Sequence, residues 1–128
     1  MRYLLRILTI TTAFALLSCG SDSPEGTVKQ FLKNVDNFEY DKAEACVTDH
    51  YRESLNNIKK ASADWSESKK QAYKKVNKPY NVILKEKTDS TASVFVGLDT
   101  DDGTPIRTMF LLKKRDGKWL IDKSEDLF

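Results

Sequence analysis

The chain has 128 residues, 40% hydrophobic and 31% charged, which is enough for one core and too little for two domains. Its formal charge of +2 comes from Arg2 and Arg6; without them the 21 basic residues fall to 19 and balance the 19 acidic ones. A balanced chain has no bulk electrostatic reason to bind nucleic acid or an anionic membrane surface, so nucleic acid is set aside as a partner.

Arg2 and Arg6 open an N-terminal segment that is apolar through Leu17 apart from its threonines. It is shorter than the roughly 20 apolar residues a membrane-spanning helix needs, and it reads as a secretory signal. The segment closes on Leu16-Leu17-Ser18-Cys19-Gly20. This resembles the lipobox of bacterial lipoproteins, with an apolar residue, a small residue, then the cysteine that becomes the lipidated N-terminus. The resemblance implies a signal peptide over residues 1–18, a lipid-anchored tether over residues 19–23 and a domain over residues 24–128, with Cys19 as the lipidation site. An uncleaved anchor helix is the alternative. Each buried methylene of an acyl chain such as palmitate adds about 0.8 kcal/mol, so several chains make a permanent tether. Gly20, where an aspartate would favour the inner membrane, implies the outer membrane of a Gram-negative envelope. Asp22 and Glu25 are a partial match to the acidic signals of surface-displayed lipoproteins.

With Cys19 given to lipid, Cys46 is expected to be a small buried hydrophobe on a helix face rather than a reactive thiol. Ser23-Pro24 reads as an N-cap followed by proline at the first helical position, and Glu25 suits the positive helix end. Val28, Phe31, Leu32, Val35 and Phe38 then form an apolar stripe of helical period ending near Asn37. A short second helix capped by Asp41 would turn Ala43, Cys46 and Val47 inward. Thr48 or Asp49 can cap a third, with the stripe Tyr51, Leu55 and Ile58. Helical spacing resumes at Trp65, Ala72, Tyr73 and Val76. A break near residues 61–64 is expected, with Ser62 or Asp64 capping the new start.

After Pro79 the period becomes alternating. Val82 and Leu84 alternate with Ile83 and Lys85, Thr88-Asp89-Ser90 makes a turn, and Ala92, Val94, Val96 and Leu98 form the next inward row. A third strand spans Ile106 to Arg115 and a fourth Lys118 to Asp122. A two-residue turn at Asp116-Gly117 would set Lys114 opposite Trp119 and Leu112 opposite Ile121, placing Phe110, Leu112, Trp119 and Ile121 on one face. The fold class is therefore α+β: three to four N-terminal helices on a curved four-stranded antiparallel sheet.

Residues 23–31, residues 38–43 and the segment Phe110 to Asp122 together resemble the small lipoproteins of unknown function in the nuclear transport factor 2-like superfamily, some described as lumazine-binding. The resemblance implies a cone with a cavity at its wide end. Enzymes of that superfamily, such as ketosteroid isomerases and scytalone dehydratases, place acid and base groups there in apolar surroundings. No equivalent set is visible here: the inward positions are Val, Phe, Leu, Ile and Trp. The only histidine, His50, reads as a solvated cap.

No catalytic residue, metal site or cofactor is therefore assigned. Asp99 to Gly103 lacks calcium-loop spacing, the lysines from Lys69 to Lys78 read as a solvated helix face, and Asp89-Ser90-Thr91 is a weak match to an exported-protein glycosylation site. The aromatic residues Trp65, Tyr73, Tyr80, Phe95 and Trp119 are the candidate lining of a ligand cavity. The expected function is a non-enzymatic binding or accessory domain, held to the membrane by lipid and taking a small apolar or planar ligand. The alternative is an interaction or homodimerisation domain using a sheet face that carries Met109, Leu111 and Leu120, and a cryptic enzyme using Asp122 or His50 is the third reading.

Overall fold

The computed structural model describes residues 22–127 apart from 77 and 100–104. The lipobox and the Asp102-Gly103 loop lie outside the described residues. Helix α1 is Pro24–Asp36. The Ser23 hydroxyl caps it by accepting from the Gly26 N–H at 3.1 Å, as expected for serine before proline. Its buried face carries Thr27, Val28 and Phe31, and the Thr27 hydroxyl donates to the Trp119 carbonyl at 2.9 Å.

The helix ends in a Schellman turn. The Phe38 N–H donates to the Val35 carbonyl and the Glu39 N–H to the Asn34 carbonyl, with Phe38 at φ 60°. Glycine is the usual residue there, because a side chain in the left-handed region is strained. That turn carries straight into α2, Tyr40–Glu44, whose N-cap is Glu39 and not the expected Asp41. Ala43, Cys46 and Val47 are buried, as their spacing predicts.

Thr48 is the N-cap residue of the following turn, as expected, and its carbonyl accepts from the Tyr51 N–H at 3.0 Å, but its side chain makes no capping bond. Its segment joins the end strand: the Thr48 N–H donates to the Ile121 carbonyl and the Ile121 N–H to the Cys46 carbonyl, both at 2.9 Å. A single 3₁₀ turn, Asp49–Tyr51, then leads into α3, Arg52–Ala61, which buries Leu55. The chain breaks where expected, but Ser66 caps α4, Glu67–Lys75, by accepting from the Lys69 N–H at 3.1 Å. Ser62 is otherwise engaged, sharing a 2.7 Å hydrogen bond with the Tyr40 hydroxyl. Helix α4 buries no residue, and Ala72 and Val76 of the expected stripe are exposed.

Strands β1 (Asn81–Lys87), β2 (Thr91–Asp99), β3 (Pro105–Arg115) and β4 (Lys118–Asp126) form one antiparallel meander in chain order. Asp116 and Gly117 have φ 51° and 80°, the two positive values of a type I′ turn. Lys114 pairs with Trp119 and Leu112 with Ile121, the register that turn dictates. Beyond it the register shifts, since Leu111 pairs with Lys123 and leaves Asp122 as the extra residue of a bulge. The fourth strand thus runs past the bulge to Asp126, four residues further than the alternation suggests.

The helices cover one face of this sheet, giving the expected α+β arrangement: four helices on an open four-stranded antiparallel sheet. Phe31 lies at the centre of the core, meeting the Tyr51 and Phe110 rings edge to face at 6.0 Å each. Val94, Val96, Leu112, Trp119 and Ile121 complete it from the sheet. Ile83 pairs with Phe95 and Phe95 with Met109, a row on the opposite face. Among the described residues no helix is long and apolar enough to cross a membrane.

Candidate functional site

The polar side of α1 and the end of α4 enclose an open groove of about 570 Å³. Lys29, Leu32, Lys33 and Asp36 recur at helical spacing along α1 and form one wall. Lys74, Lys75 and Val76 form the other, and Tyr80 and Val82 lead from it onto β1. Five lysines, counting Lys78, and one carboxylate therefore surround a floor of Leu32, Val76, Tyr80 and Val82.

Asp36 ties the groove together. Its carboxylate accepts from the Tyr80 hydroxyl at 2.9 Å and from the Tyr73 hydroxyl at 3.3 Å, linking α1, α4 and the entry to β1. Burial, reinforced by the Asp36 charge, pushes the Tyr73 phenol up to about 12 and the Tyr80 phenol upward as well. Both hydroxyls stay protonated and act as donors. Lys78 is committed to structure: its ammonium donates to the Tyr73 carbonyl at 2.9 Å and lies 3.8 Å from that ring's centre. The other four lysines are exposed.

Behind this wall, Phe38 is the hub of an aromatic cluster. Its ring centre lies 5.8 Å from Trp65, 5.6 Å from Tyr73 and 6.4 Å from Tyr40. Trp65 and Tyr73 are themselves 5.5 Å apart, and the Lys69 ammonium sits 4.1 Å from the Trp65 ring. Since α4 buries no side chain fully, these half-buried rings and the Tyr73–Asp36 bond are what hold it down.

The five aromatic residues expected to line one cavity do not gather. Trp65 and Tyr73 back the groove, and Tyr80 alone lines it. Phe95 pairs with Met109 on the far side of the sheet, under the Lys85 ammonium at 5.7 Å. Trp119 is 1% exposed and fills the core, where its indole N–H has no hydrogen-bond partner among the described residues. Lys29, Lys33 and Asp36 were missed, because sequence spacing shows that they share a helix face and not what stands opposite it.

A second concavity of about 510 Å³ lies at the β4 bulge, lined by Thr48, His50, Lys113, Arg115, Asp122 and Lys123 among others. Asp122 is 5% exposed; it accepts from the Thr48 hydroxyl at 2.8 Å and pairs with Lys113 at 3.4 Å. Burial opposes its charge, but Thr48 and Lys113 together outweigh burial and hold the carboxyl below its ordinary range. It is thus a fixed anion at neutral pH rather than a proton donor, and His50 beside it is exposed. No group of three or more His, Cys, Asp or Glu side chains is placed to hold a metal among the described residues.

Cys46 is fully buried, as expected of an apolar position.

No curated protein matches the chain. A family profile described as a domain of unknown function, DUF4878, matches residues 17–122, which takes in every described helix, the groove and the sheet up to the bulge. The chain belongs to the DUF4878 family, a domain of unknown function.

Proposed function

We propose that this is a lipid-anchored protein of the bacterial envelope, in the outer membrane through Cys19, whose domain is a nuclear transport factor 2-like cone that binds a ligand without transforming it. The groove between α1 and the end of α4 is its ligand site. The observation that carries this reading is the pairing of an apolar floor with four exposed lysines in one concave surface. The ionisable groups there support binding more than chemistry: Asp36 is occupied by two phenols, and both phenols are held protonated.

A second reading, an interaction or homodimer surface on the outer sheet face, is favoured by Ile83, which stays 43% exposed beside half-buried Phe95 and Met109.

Native mass spectrometry of the mature protein, gently released from its host membrane, tests both readings. The proposal expects the mass of a chain starting at an acylated Cys19, plus a reproducible further mass that is lost on denaturation. A bare dimer would transfer the weight to the sheet face, and a bare monomer would remove the binding reading. The same spectrum decides the cysteines. A sulfur carrying a diacylglyceryl thioether cannot also form a disulfide, and the sequence offers Cys46 only Cys19 as an intrachain partner. An unacylated chain with a Cys19–Cys46 bridge would defeat the lipoprotein reading.

A further inference from the structure

Resting on the groove as the ligand site, we infer that it selects an amphiphilic organic anion: one acidic group joined to an apolar body. Lys29 and Lys33 stand one turn apart on α1, and Lys74 and Lys75 line the opposite wall. None of the four takes part in a salt bridge among the described residues. Two acidic groups beside them are already engaged, Asp36 by Tyr73 and Tyr80 and Glu39 by Lys42. The groove therefore holds a surplus of positive charge in a chain that, without Arg2 and Arg6, is balanced as a whole. Like charges one helical turn apart repel each other, so the bare groove is electrostatically unfavourable and a bound anion relieves it.

The floor decides what kind of anion. Leu32, Val76, Tyr80 and Val82 lie between the two basic walls, and Val76 is 55% exposed with nothing covering it among the described residues. An inorganic anion would leave that floor wet, a neutral apolar ligand would leave the ammonium groups unused, and a metal cation would be repelled. An acidic group between the lysines with an apolar body on the floor satisfies both surfaces.

The test uses the mature protein in phosphatidylcholine nanodiscs, titrated with the fluorescent anion anilinonaphthalene sulfonate and with its neutral relative phenylnaphthylamine, empty nanodiscs being subtracted. The inference expects saturable binding of the sulfonate about tenfold tighter than that of the neutral probe, as one charge-assisted contact provides. Lys29→Glu/Lys33→Glu should weaken sulfonate binding by about tenfold or more, and added salt should weaken it in the unmodified protein. Lys118→Glu, at the far hairpin, should leave it unchanged. These residues are exposed, so the variants keep the fold. Equal binding of the two probes, reduced alike by Val76→Asp, would overturn the anionic class while leaving the groove as a ligand site. Binding indifferent to Val76→Asp and to the lysine reversals would overturn the groove itself, and no saturable sulfonate binding would overturn the anionic class.

Discussion

Replacing Thr48 with valine removes one hydroxyl and keeps the shape of the side chain, yet it should strike a sensitive joint. The Thr48 hydroxyl donates at 2.8 Å to Asp122, a carboxylate that is 5% exposed and stands at the bulge of β4. Hydrogen bonds to charged groups contribute about 1.5–3 kcal/mol, and a buried acceptor that loses its donor bears much of that cost. Lys113 cannot compensate, because its partly exposed ammonium at 3.4 Å is worth at most about 1 kcal/mol. We expect a loss of about 2 kcal/mol at pH 7, which for a domain of this size lowers Tm by about 8–16 °C. The sign with pH follows from the depressed Asp122 carboxyl. Its stabilisation is fully present above the unfolded value of 3.8 and is lost as pH falls through the lower folded value. Thermal melts of Thr48→Val and the unmodified protein should therefore differ widely at pH 7, draw together as pH falls below 3.8, and meet only under the folded value. A difference under about 2 °C at pH 7, or one that is undiminished in acid, would refute the role given to this pair.

Two further outcomes follow from packing. Trp119→Ala should cost about 3–5 kcal/mol in chemical denaturation, since the ring fills the core at 1% exposure. Trp119→Phe should cost much less, because the indole N–H has no partner to lose, and equal losses from the two would contradict that. At Phe38, alanine and glycine both delete the hub ring, but only alanine keeps a side chain at φ 60°. Phe38→Gly should therefore be more stable than Phe38→Ala by about 1 kcal/mol. The reverse order would mean that the turn does not impose that conformation.

Local chemistry made much of this fold readable in advance. Ser23-Pro24 fixes the start of α1, and Asp116-Gly117 fixes a two-residue turn from which the pairing of Leu112 with Ile121 follows without any knowledge of the rest. What was not legible depends on distant partners. Thr48 has the chemistry of an N-cap, but the bulge at Asp122, more than 70 residues on, offers its hydroxyl a carboxylate. Ser62 likewise spends its hydroxyl on Tyr40, and the cap moves to Ser66. Phe38 sits where glycine is usual, so no turn signal marked the place, and the compensating ring contacts come from Trp65 and Tyr73.

The candidate site divides the same way. Period-two alternation already set Phe95 with Ser93 and Gly97, opposite Val94 and Val96, so grouping Phe95 with the core aromatics ran against the strand's own geometry. The groove was unreadable because it joins residues about 45 positions apart. Lys74 and Lys75 look like ordinary last-turn lysines that favour the helix dipole until Lys29 and Lys33 are seen on the opposite wall.

Lysine footprinting reads whether that groove is occupied in the envelope without knowing the ligand. Protein labelled with an acylating reagent in intact membranes would be compared with protein stripped of small molecules by solvent and refolded. Lys29, Lys33, Lys74 and Lys75 should be protected in the membrane sample and reactive in the stripped one, with Lys118 equally reactive in both. Equal reactivity of the four groove lysines in the two samples would contradict the account.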